Sequence, residues 1–166
     1  MKCKFEQQLT DADHKSLFGW SERVFPAEGA KYSWVEPTNR IVTRDSGIAI
    51  AHLGFSRFNL EINSRSVSTI GVGGVVVRPE YQGKKIPYTM FSKLHSSDFL
   101  SPQSRFSSLF CPLRLAPYYA KHGYDIFNGR VRFLQNNGHV EAKEFVFMLR
   151  GIRELSGDII IHSKPW

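Results

Sequence analysis

The chain has 166 residues, of which 42% are hydrophobic and 13% aromatic, and this composition excludes a disordered protein because burial can offset the entropy of ordering the chain. The length predicts a single domain, residues 1–166, built on one core. The formal net charge of +7, from 22 basic and 15 acidic residues, favours an anionic partner: nucleic acid, a membrane surface or a phosphorylated small molecule.

The first predicted elements are a strand and a helix. The sequence CKFEQQL alternates in the way that strands do. Thr10 and Asp11 offer an N-cap for a helix that we expect to reach about Phe25, where Pro26 ends it. Its apolar face is formed by Leu17, Phe18 and Val24. The segment that follows, AEGAKYSWVEPTNR, is irregular or a short helix.

An antiparallel meander is predicted next. Residues 39–77 read as three consecutive strands. The turns between them are Asp45-Ser46-Gly47, which has the Asp and Gly that hairpins favour, and Asn63-Ser64.

A second helix is predicted over residues 85–100, because apolar side chains repeat at every fourth position: Ile86, Met90 and Leu94. A short strand, residues 106–111, follows. The sequence LRLAPYYAKH then predicts a helix that ends at Gly123. Two more strands, in YDIFNGRVRFL and KEFVFMLR, complete the predicted elements.

Several classes of protein are disfavoured by local sequence. Cys3 and Cys111 are far apart and the first fifteen residues are too charged for a secretory signal, so we expect free thiols and a cytoplasmic protein. The apolar stretch at residues 70–77 is far shorter than the roughly 20 residues that span a bilayer, so we expect no membrane partner. The histidines lack metal-ligand spacing, and the basic residues are dispersed, so we expect no metal and no nucleic acid.

The junction between residues 77 and 86 is the most informative stretch. A valine-rich strand passes through a short turn into a helix, and the first N–H groups of a helix have no intrahelical partner. Gly83 would let a ligand approach the backbone, and Lys84 and Lys85 add positive charge. This arrangement suits a phosphate. An ordinary strand-to-helix turn with solvated lysines is the alternative.

Two motifs resemble the GNAT superfamily of N-acetyltransferases. VVVRPEYQGKKI looks like the superfamily's motif A, and YAKHGY resembles its later Tyr-x-x-x-Gly-aromatic signature. The resemblance implies an α/β (α+β) GNAT fold, with one mixed, mostly antiparallel sheet of six to seven strands and helices on both faces. It also implies acetyl transfer from acetyl-CoA (coenzyme A) to a primary amine.

The resemblance assigns the cofactor site to the motif A residues. Val75, Val76 and Val77 would offer backbone N–H groups to the pantetheine arm and to the thioester carbonyl. The pyrophosphate would be held by Gln82, Gly83, Lys84, Lys85 and Ile86. Pro87 stands where the superfamily has a small residue, so one N–H donor is lost.

Within the superfamily, the chain looks most like the aminoglycoside 2′-N-acetyltransferases. The supporting stretches are FPAEGAKYSW, GIAIAHLGF, GGVVVRPEYQGKKI, PYYAKHGY and the last residue, Trp166. Glu28 and Trp34 would then line the substrate side. Gly73 replaces a strand glutamate of that group, Lys164 replaces an acid near the last residue, and Ser33 replaces another. We therefore expect a less cationic small-molecule amine and do not favour an aminoglycoside.

The resemblance also suggests how protons move. Tyr119 matches the superfamily's general acid, with Tyr118 as the fallback. For the general base, the candidates are the terminal carboxylate of Trp166 and a water chain to Glu28 or Glu36. The alternative for each of these is a structural role.

Three other functions remain open at this stage. The same fold also acetylates protein N-termini and lysine side chains. A GNAT domain that has lost its glutamate could bind acyl-CoA without chemistry. Nucleic-acid binding through the net charge is the third, and the dispersed basic residues disfavour it. The sequence leaves open whether the protein is a homodimer.

Overall fold

One mixed sheet forms the centre of the structure, a computed structural model that describes residues 1–100, 106–141, 143–151 and 156–166. Within these ranges the sheet has ten strands. They are β1 (Lys2–Glu6), β2 (Asn39–Asp45), β3 (Ile48–Ile62), β4 (Arg65–Val77), β5 (Ser107–Cys111), β6 (Asp125–Ile126), β7 (Val131–Gln135), β8 (Gly138–Glu141), β9 (Val146–Arg150) and β10 (Ile159–Ile161).

In the part of the chain that the structure describes, three α-helices accompany the sheet. They are α1 (Asp11–Phe18), α2 (Ile86–His95) and α3 (Ala116–Ala120), and short 3-10 turns cover Ala27–Gly29, Pro79–Tyr81 and Leu113–Leu115. Helices α1 and α2 pack on opposite faces of the sheet, as predicted, since α1 contacts Val42 and Val76 whereas α2 contacts Ile41 and Leu53. None of the helices in the described ranges is long and apolar enough to cross a membrane.

The sheet divides into two parts around its long strand β3. The predicted meander is confirmed: β2, β3 and β4 are antiparallel neighbours, and β1 extends them beyond β2. On the far side of β4, β5 runs parallel to it, and β9 and β6 follow. The end of β3 also pairs with β10, which is joined to β7 and β8. Strands β7, β8 and β10 are called the C-terminal leaf below.

The predicted helix α1 is shorter than expected. Its N-terminus is as predicted, because Thr10 and Asp13 form a reciprocal capping box. The helix ends at Phe18, and the Gly19 N–H closes it by donating to the Lys15 carbonyl at 3.0 Å. Val24 therefore lies outside the helix, in the irregular chain before Pro26.

The other two helices are also shorter than predicted. Helix α2 ends at His95, not Leu100, and its last turn is closed by Ser96. Only residues 116–120 of the third predicted helix are α-helical, and a 3-10 turn precedes them. Gly123 ends this segment as expected, in a left-handed conformation with φ +84°.

The sheet has more strands than the six to seven predicted. Strands β8 and β10 were not expected, and β6 and β7 divide one predicted strand. The short strand β10 is apolar along its whole length because it lies between β3 and β7. A run of three isoleucines carries no alternation, so periodicity could not identify it.

The buried residues form separate clusters. The central cluster joins α2 to β2, β3, β4 and β5, and includes Phe55, Met90, Phe91 and Tyr124. The C-terminal cluster joins the end of β3 to β7, β9 and β10, and includes Phe133, Phe147 and Trp166. A third, smaller cluster lies under α1. Of the site residues described next, Tyr119 packs against the central cluster and Trp166 belongs to the C-terminal cluster.

Candidate active site

The parallel strands β4 and β5 separate in the middle of the sheet. They are paired only between residues 70–72 and residues 107–109, although β4 continues to Val77 and β5 to Cys111. From Gly73 onward, the edge of β4 that faces β5 has no strand partner among the described residues. Unpaired strand edges offer N–H and C=O groups to an extended ligand.

A β-bulge between β3 and β4 lies next to the point where β4 and β5 separate. The register between β3 and β4 shifts between His52 and Gly54, and Gly74 takes a left-handed conformation with φ +59°. His52 Nδ1 lies 2.7 Å from the Gly74 carbonyl oxygen, so this nitrogen carries the proton and donates it. Burial lowers the pKa of His52 to about 4. His52 is thus a neutral core histidine that holds the bulge.

The loop after β4 has an open backbone. Gly83 is left-handed with φ +78°, and a Cβ built on it would meet nothing within 4 Å. Lys85, the N-cap of α2, is also left-handed with φ +57°. Residues 82–85 are exposed, whereas Ile86 is 5% exposed and anchors the helix in the core. The anchor fixes the direction in which the loop N–H groups point.

A row of N–H groups at the start of α2 lacks acceptors. The Gln82 N–H donates to the Pro79 carbonyl and the Tyr88 N–H to the Lys85 carbonyl. Between them, the N–H groups of residues 83–86 have no acceptor among the described residues, and Pro87 has no N–H. This row and the positive end of the helix dipole suit an anion such as a phosphate.

The loop's polar side chains leave that row accessible. Gln82 Nε2 donates to the Val77 carbonyl at 3.1 Å. Lys84 Nζ lies over the Tyr81 ring, 4.7 Å from its centroid. Both side chains are therefore held by neighbours outside the row, and Lys84 still contributes its charge to the loop.

Tyr119 lies on α3, against the central cluster. Its ring contacts the rings of Phe91, Tyr118 and Tyr124 at centroid distances of 6.1, 5.0 and 6.4 Å. Burial raises the pKa of Tyr119 far above its usual value, and burial raises that of Tyr118 to about 12. Among the described residues, the Tyr119 hydroxyl has no hydrogen-bond partner. It therefore keeps its proton at neutral pH and can donate it to a ligand.

Trp166 is buried on β4. It is 6% exposed, its indole stacks on Phe58 at a centroid distance of 4.1 Å, and its Nε1 donates to the Ser108 carbonyl at 3.2 Å. The main-chain carbonyl carbon of Trp166 lies 2.8 Å from the position that a Cβ on Gly73 would occupy. The main-chain carbonyl of Trp166 therefore lies where a side chain at position 73 would begin.

Two glycines make room for Trp166. A Cβ on Gly71 would lie 2.4 Å from the Trp166 indole, a distance that no side chain can tolerate. Gly71 and Gly73 lie on the same face of β4, two residues apart. Gly73 is thus part of the surface on which Trp166 packs. The resemblance implied a glutamate at this position.

Residues 26–36, called the wall segment below, cover this side of the sheet. The Val35 N–H donates to the Pro165 carbonyl at 2.7 Å. Lys31 forms an ion pair with Glu144, and the Tyr32 hydroxyl donates to the same carboxylate at 2.7 Å. The wall segment is therefore joined both to the residues before Trp166 and to the turn before β9.

Trp34 lies inside the wall segment and faces other aromatic side chains. Its ring contacts those of Phe110 and Phe145 at centroid distances of 6.4 and 5.5 Å, and its Nε1 donates to the Gly29 carbonyl at 2.9 Å. Phe110 in turn contacts Trp166 at 5.7 Å. The side of the site that includes Trp34 and Trp166 is thus mainly aromatic.

Glu28 is not a free carboxylate. Both of its oxygens accept hydrogen bonds from the Arg114 guanidinium, which lowers the pKa of Glu28. The Glu36 side chain is 92% exposed and lies 3.9 Å from Arg40. Of the acids named from the sequence, one is therefore neutralised by an arginine and the other points to solvent.

Several of these contacts could not be predicted from the sequence. Arg114 and Glu144 lie 86 and 112 residues from the side chains that they hold in the wall segment. Gln135, which accepts from the Ser33 N–H at 2.9 Å and donates to the Ser33 carbonyl at 3.0 Å, was also missed. No local pattern connects positions that far apart.

Cys111 does not have the environment of a nucleophile. Burial raises the pKa of its thiol to about 11, and the thiol lies 3.6 Å from the Met148 sulfur. Within the described residues, no group of three or more His, Cys, Asp or Glu side chains could hold a metal ion.

Comparisons with known proteins agree with this geometry. A sequence model for the family described as "Acetyltransferase (GNAT) domain" matches residues 7–127. No curated protein has a significantly similar sequence. Solved structures with a similar fold include ElaA from Escherichia coli, with a TM-score of 0.56 and 14% identity over 90% of this chain and 98% of that one.

Two further solved structures are similar over nearly the whole chain. A GNAT family acetyltransferase from Brucella melitensis, crystallised with acetyl-CoA, has a TM-score of 0.55 and 18% identity over 97% of this chain and 96% of that one. An acyl-CoA N-acyltransferase from Pseudomonas aeruginosa has a TM-score of 0.55 and 16% identity over 90% and 99%. At these identities the likeness concerns the fold, and the family rests on the sequence match. The chain belongs to the GNAT acetyltransferase domain family.

Proposed function

We propose that the protein transfers the acetyl group of acetyl-CoA to a primary amine of a small molecule. The observation that carries this proposal is the row of unpartnered N–H groups at residues 83–86. It lies at the end of a strand whose edge is open from Gly73 to Val77. A diphosphate fits the first feature, and an extended amide-containing arm fits the second.

The proposed cofactor contacts follow the open backbone. Gly83, Lys84, Lys85 and Ile86 would hold the diphosphate through their N–H groups, with Lys84 and Lys85 adding charge. Gln82 shapes this loop by bonding the Val77 carbonyl. Val75, Val76 and Val77 would pair with the pantetheine arm along the free edge of β4. Bound acetyl-CoA would supply an activated thioester.

Two groups of the chain would move protons. The Tyr119 hydroxyl, which burial keeps protonated, would act as general acid through its Oη atom. The carboxyl group of Trp166, placed over Gly73, would accept a proton from the amine. We prefer this base to Glu28 or Glu36, since the first is bonded to Arg114 and the second faces solvent.

A small, weakly cationic amine suits the substrate side best. The wall segment is tied to Pro165 and Glu144, which supports an enclosed site over an open peptide groove. Its rings are aromatic, and its acid Glu28 already has a cationic partner. Glu28 therefore offers no free carboxylate to a polycationic substrate. We therefore propose a relationship to the aminoglycoside 2′-N-acetyltransferases, but we do not propose an aminoglycoside as the substrate.

Two measurements test the proposal. Calorimetry should detect acetyl-CoA binding. A thiol-release assay over polyamines, amino sugars, amino acids and short peptides should then show turnover with a small amine. Binding without turnover for every amine would instead indicate an acyl-CoA-binding domain, and turnover confined to peptides would indicate a protein acetyltransferase. Absence of coenzyme A binding at millimolar concentration would refute the transferase function itself.

A further inference from the structure

Arg114 and Glu28 form an ion pair at the substrate side of the site. Arg114 belongs to the turn Leu113–Leu115, directly before α3, and Glu28 belongs to the wall segment. The two terminal nitrogens of the guanidinium donate to the carboxylate, one to each oxygen. This two-point contact is the way in which an arginine binds the carboxylate of a ligand.

A short series of contacts connects this ion pair to Trp166. Gly29, the neighbour of Glu28, lies against the Trp34 ring, since a Cβ on this glycine would be 3.3 Å from that ring. Trp34 contacts Phe110 at a centroid distance of 6.4 Å, and Phe110 contacts Trp166 at 5.7 Å. The ion pair is therefore at the solvent end of the aromatic side of the site, and the buried Trp166 is at the inner end.

The turn that carries Arg114 leads directly to the proposed general acid. Tyr119 lies five residues further along the chain, in α3. At a rise of 1.5–2.0 Å per residue, the backbones of the two residues are roughly 8–10 Å apart. A small molecule can span a distance of this order. A ligand held by Arg114 can therefore place a second group near the proton-transfer residues.

Positive charge exceeds negative charge at this end of the wall segment. Hydrogen bonds from Arg114 lower the pKa of Glu28, and the charge of Arg23 lowers it further. Arg23 itself has no ion-pair partner among the described residues. Two guanidinium groups thus share one carboxylate, and a second carboxylate would meet a net positive field.

The other acid of the wall segment does not compensate for this excess. Glu36 is exposed and lies 3.9 Å from Arg40. Each carboxylate of the wall segment is thus next to an arginine. A second ammonium group on a substrate would be repelled by these arginines, whereas a carboxylate would be attracted.

We propose that the amine acceptor also carries a carboxylate, as amino acids do, and that Arg114 and Arg23 bind this carboxylate. The inference rests on the proposed function, because it presumes that the site accepts an amine. Glu28 holds the guanidinium of Arg114 until the acceptor binds, and the two carboxylates then share the two arginines. The carbon skeleton of the acceptor lies along the aromatic side of the site, with its amine toward Trp166.

The test is a thiol-release assay with pairs of amines that differ only in the carboxylate. The pairs are β-alanine and ethylamine, 4-aminobutyrate and propylamine, and phenylalanine and phenethylamine, which place the carboxylate at different distances from the amine. For at least one pair, the native protein should have a roughly tenfold lower KM for the carboxylated member, because a charge-assisted contact is gained. The kcat values should be similar, since the contact is made equally in the ground state and the transition state.

Substitutions in the ion pair should change this preference in opposite directions. Arg114→Gln should raise the KM of the carboxylated amine to that of its partner. Arg114→Lys, which keeps the charge and loses the two-point contact, should keep part of the preference. Glu28→Gln, which frees the guanidinium, should lower the KM of the carboxylated amine several-fold.

Arg130→Gln is the matched control. It breaks the ion pair between Arg130 and Asp158, which is also exposed and lies next to the C-terminal leaf. This variant should keep the native preference for the carboxylated amine. A purely structural role of the Arg114 ion pair would change the KM of both members of a pair equally.

The outcomes separate this inference from the function on which it rests. If the native protein acetylates amines without preferring any carboxylated member, or if Arg114→Gln keeps the preference, the carboxylate site is refuted and the transferase proposal stands. If no member of any pair is acetylated and acetyl-CoA does not bind, the proposed function fails and this inference fails with it.

Discussion

At the scale of single residues, the pair Gly71 and Gly73 decides what lies on the middle of β4. Their missing side chains allow Trp166 to lie flat against the strand, with its indole over the first glycine and its main chain over the second. A side chain at either position would displace the indole or the main-chain carbonyl of Trp166. The same two positions therefore control packing and the proposed proton acceptor together.

Replacing Gly71 with alanine should force Trp166 away from β4. We expect Gly71→Ala to lower the free energy of unfolding by about 1–3 kcal/mol, because the new methyl would overlap the indole. In a Trp166→Ala background the same change should cost much less. A double-mutant cycle by chemical denaturation measures the difference. Equal costs in both backgrounds would mean that the two residues do not meet.

Tyr119→Phe should lower kcat and leave cofactor affinity intact. The change removes the hydroxyl proton and keeps the ring that packs on the central cluster, so stability should change little. A general acid contributes about 10²-fold or more to the rate, and a thiol-release assay would measure the loss.

Tyr118→Phe is the matched control for this experiment, since its hydroxyl lies on the neighbouring residue. It should retain the native rate. If Tyr118→Phe lost activity and Tyr119→Phe did not, the roles of the two tyrosines would be reversed.

The sequence predicted the local backbone only where the residues concerned lie close together along the chain, and the roles of those residues in binding stay predictions. The loop at residues 82–86 was identified from one continuous motif, and its left-handed Gly83 agrees with the freedom expected of glycine. The pairing of Glu28 with Arg114 was not predicted, because 86 residues separate them. A carboxylate that looks free in the sequence was thus already neutralised in the fold.

At the scale of elements, the start of α2 combines an unusual backbone with the proposed anion site. Lys85 is left-handed, a conformation that costs residues with a Cβ roughly 1–2 kcal/mol. Local strain of this kind is kept where the surrounding structure fixes it. Its position directly before the row of N–H groups connects the strain to the orientation of that row.

Lys85→Gly should separate the effect of the left-handed strain on stability from the effect of the lysine charge on cofactor binding. Glycine adopts the left-handed conformation without penalty, so the free energy of unfolding should rise by up to ~1 kcal/mol. Acetyl-CoA affinity should nevertheless fall several-fold, because a positive charge beside the diphosphate is lost. Calorimetry and denaturation measure the two quantities. Lys85→Ala, which loses the charge and keeps the strain, should weaken binding equally without the gain in stability.

Gln135→Ala should loosen the wall segment. The Gln135 amide bonds both the N–H and the carbonyl of Ser33, and each such bond contributes about 1 kcal/mol. Hydrogen exchange at the Ser33 N–H should become faster, whereas exchange in β3 should stay slow. Asn136→Ala, at the exposed neighbouring position, is the control. Unchanged exchange at Ser33 would show that other contacts hold the segment.

The elements were predicted best where alternation and turn residues agree. The meander β2–β3–β4 and both of its turns were identified for this reason. The helices were extended too far, because apolar residues after Phe18 continue the pattern although Gly19 closes the helix. Strand β10 was missed because its identity depends on β3 and β7, its partners in the fold.

At the scale of the whole molecule, buried histidines make stability depend on pH. Burial lowers the pKa of His52 to about 4, from an ordinary value of 6.5. The unfolded chain therefore takes up a proton at a higher pH than the folded protein. Stability from this group is complete above pH 6.5 and is lost as the pH falls toward 4.

We expect the free energy of unfolding to fall by about 1.4 kcal/mol per pH unit for His52 alone within this range. His95, whose pKa is lowered to about 3, should add to the slope. The ion-paired carboxylate Asp13 contributes only at lower pH, since its ordinary pKa is 3.8. Denaturation between pH 7 and pH 5 would measure the slope. His52→Gln should reduce this slope by up to about 1.4 kcal/mol per pH unit, which corresponds to one proton. An unchanged slope would contradict the lowered pKa of His52.

The separation of the interior into a central and a C-terminal cluster has an evolutionary consequence. The sequence match to the family ends at residue 127, just before the C-terminal leaf begins. The loop that we assign to the cofactor is anchored in one cluster, and Trp166 in the other. Because substitutions at distant, independent sites act almost additively, we expect the C-terminal leaf to be able to diverge during evolution while the loop that we propose for the cofactor stays intact.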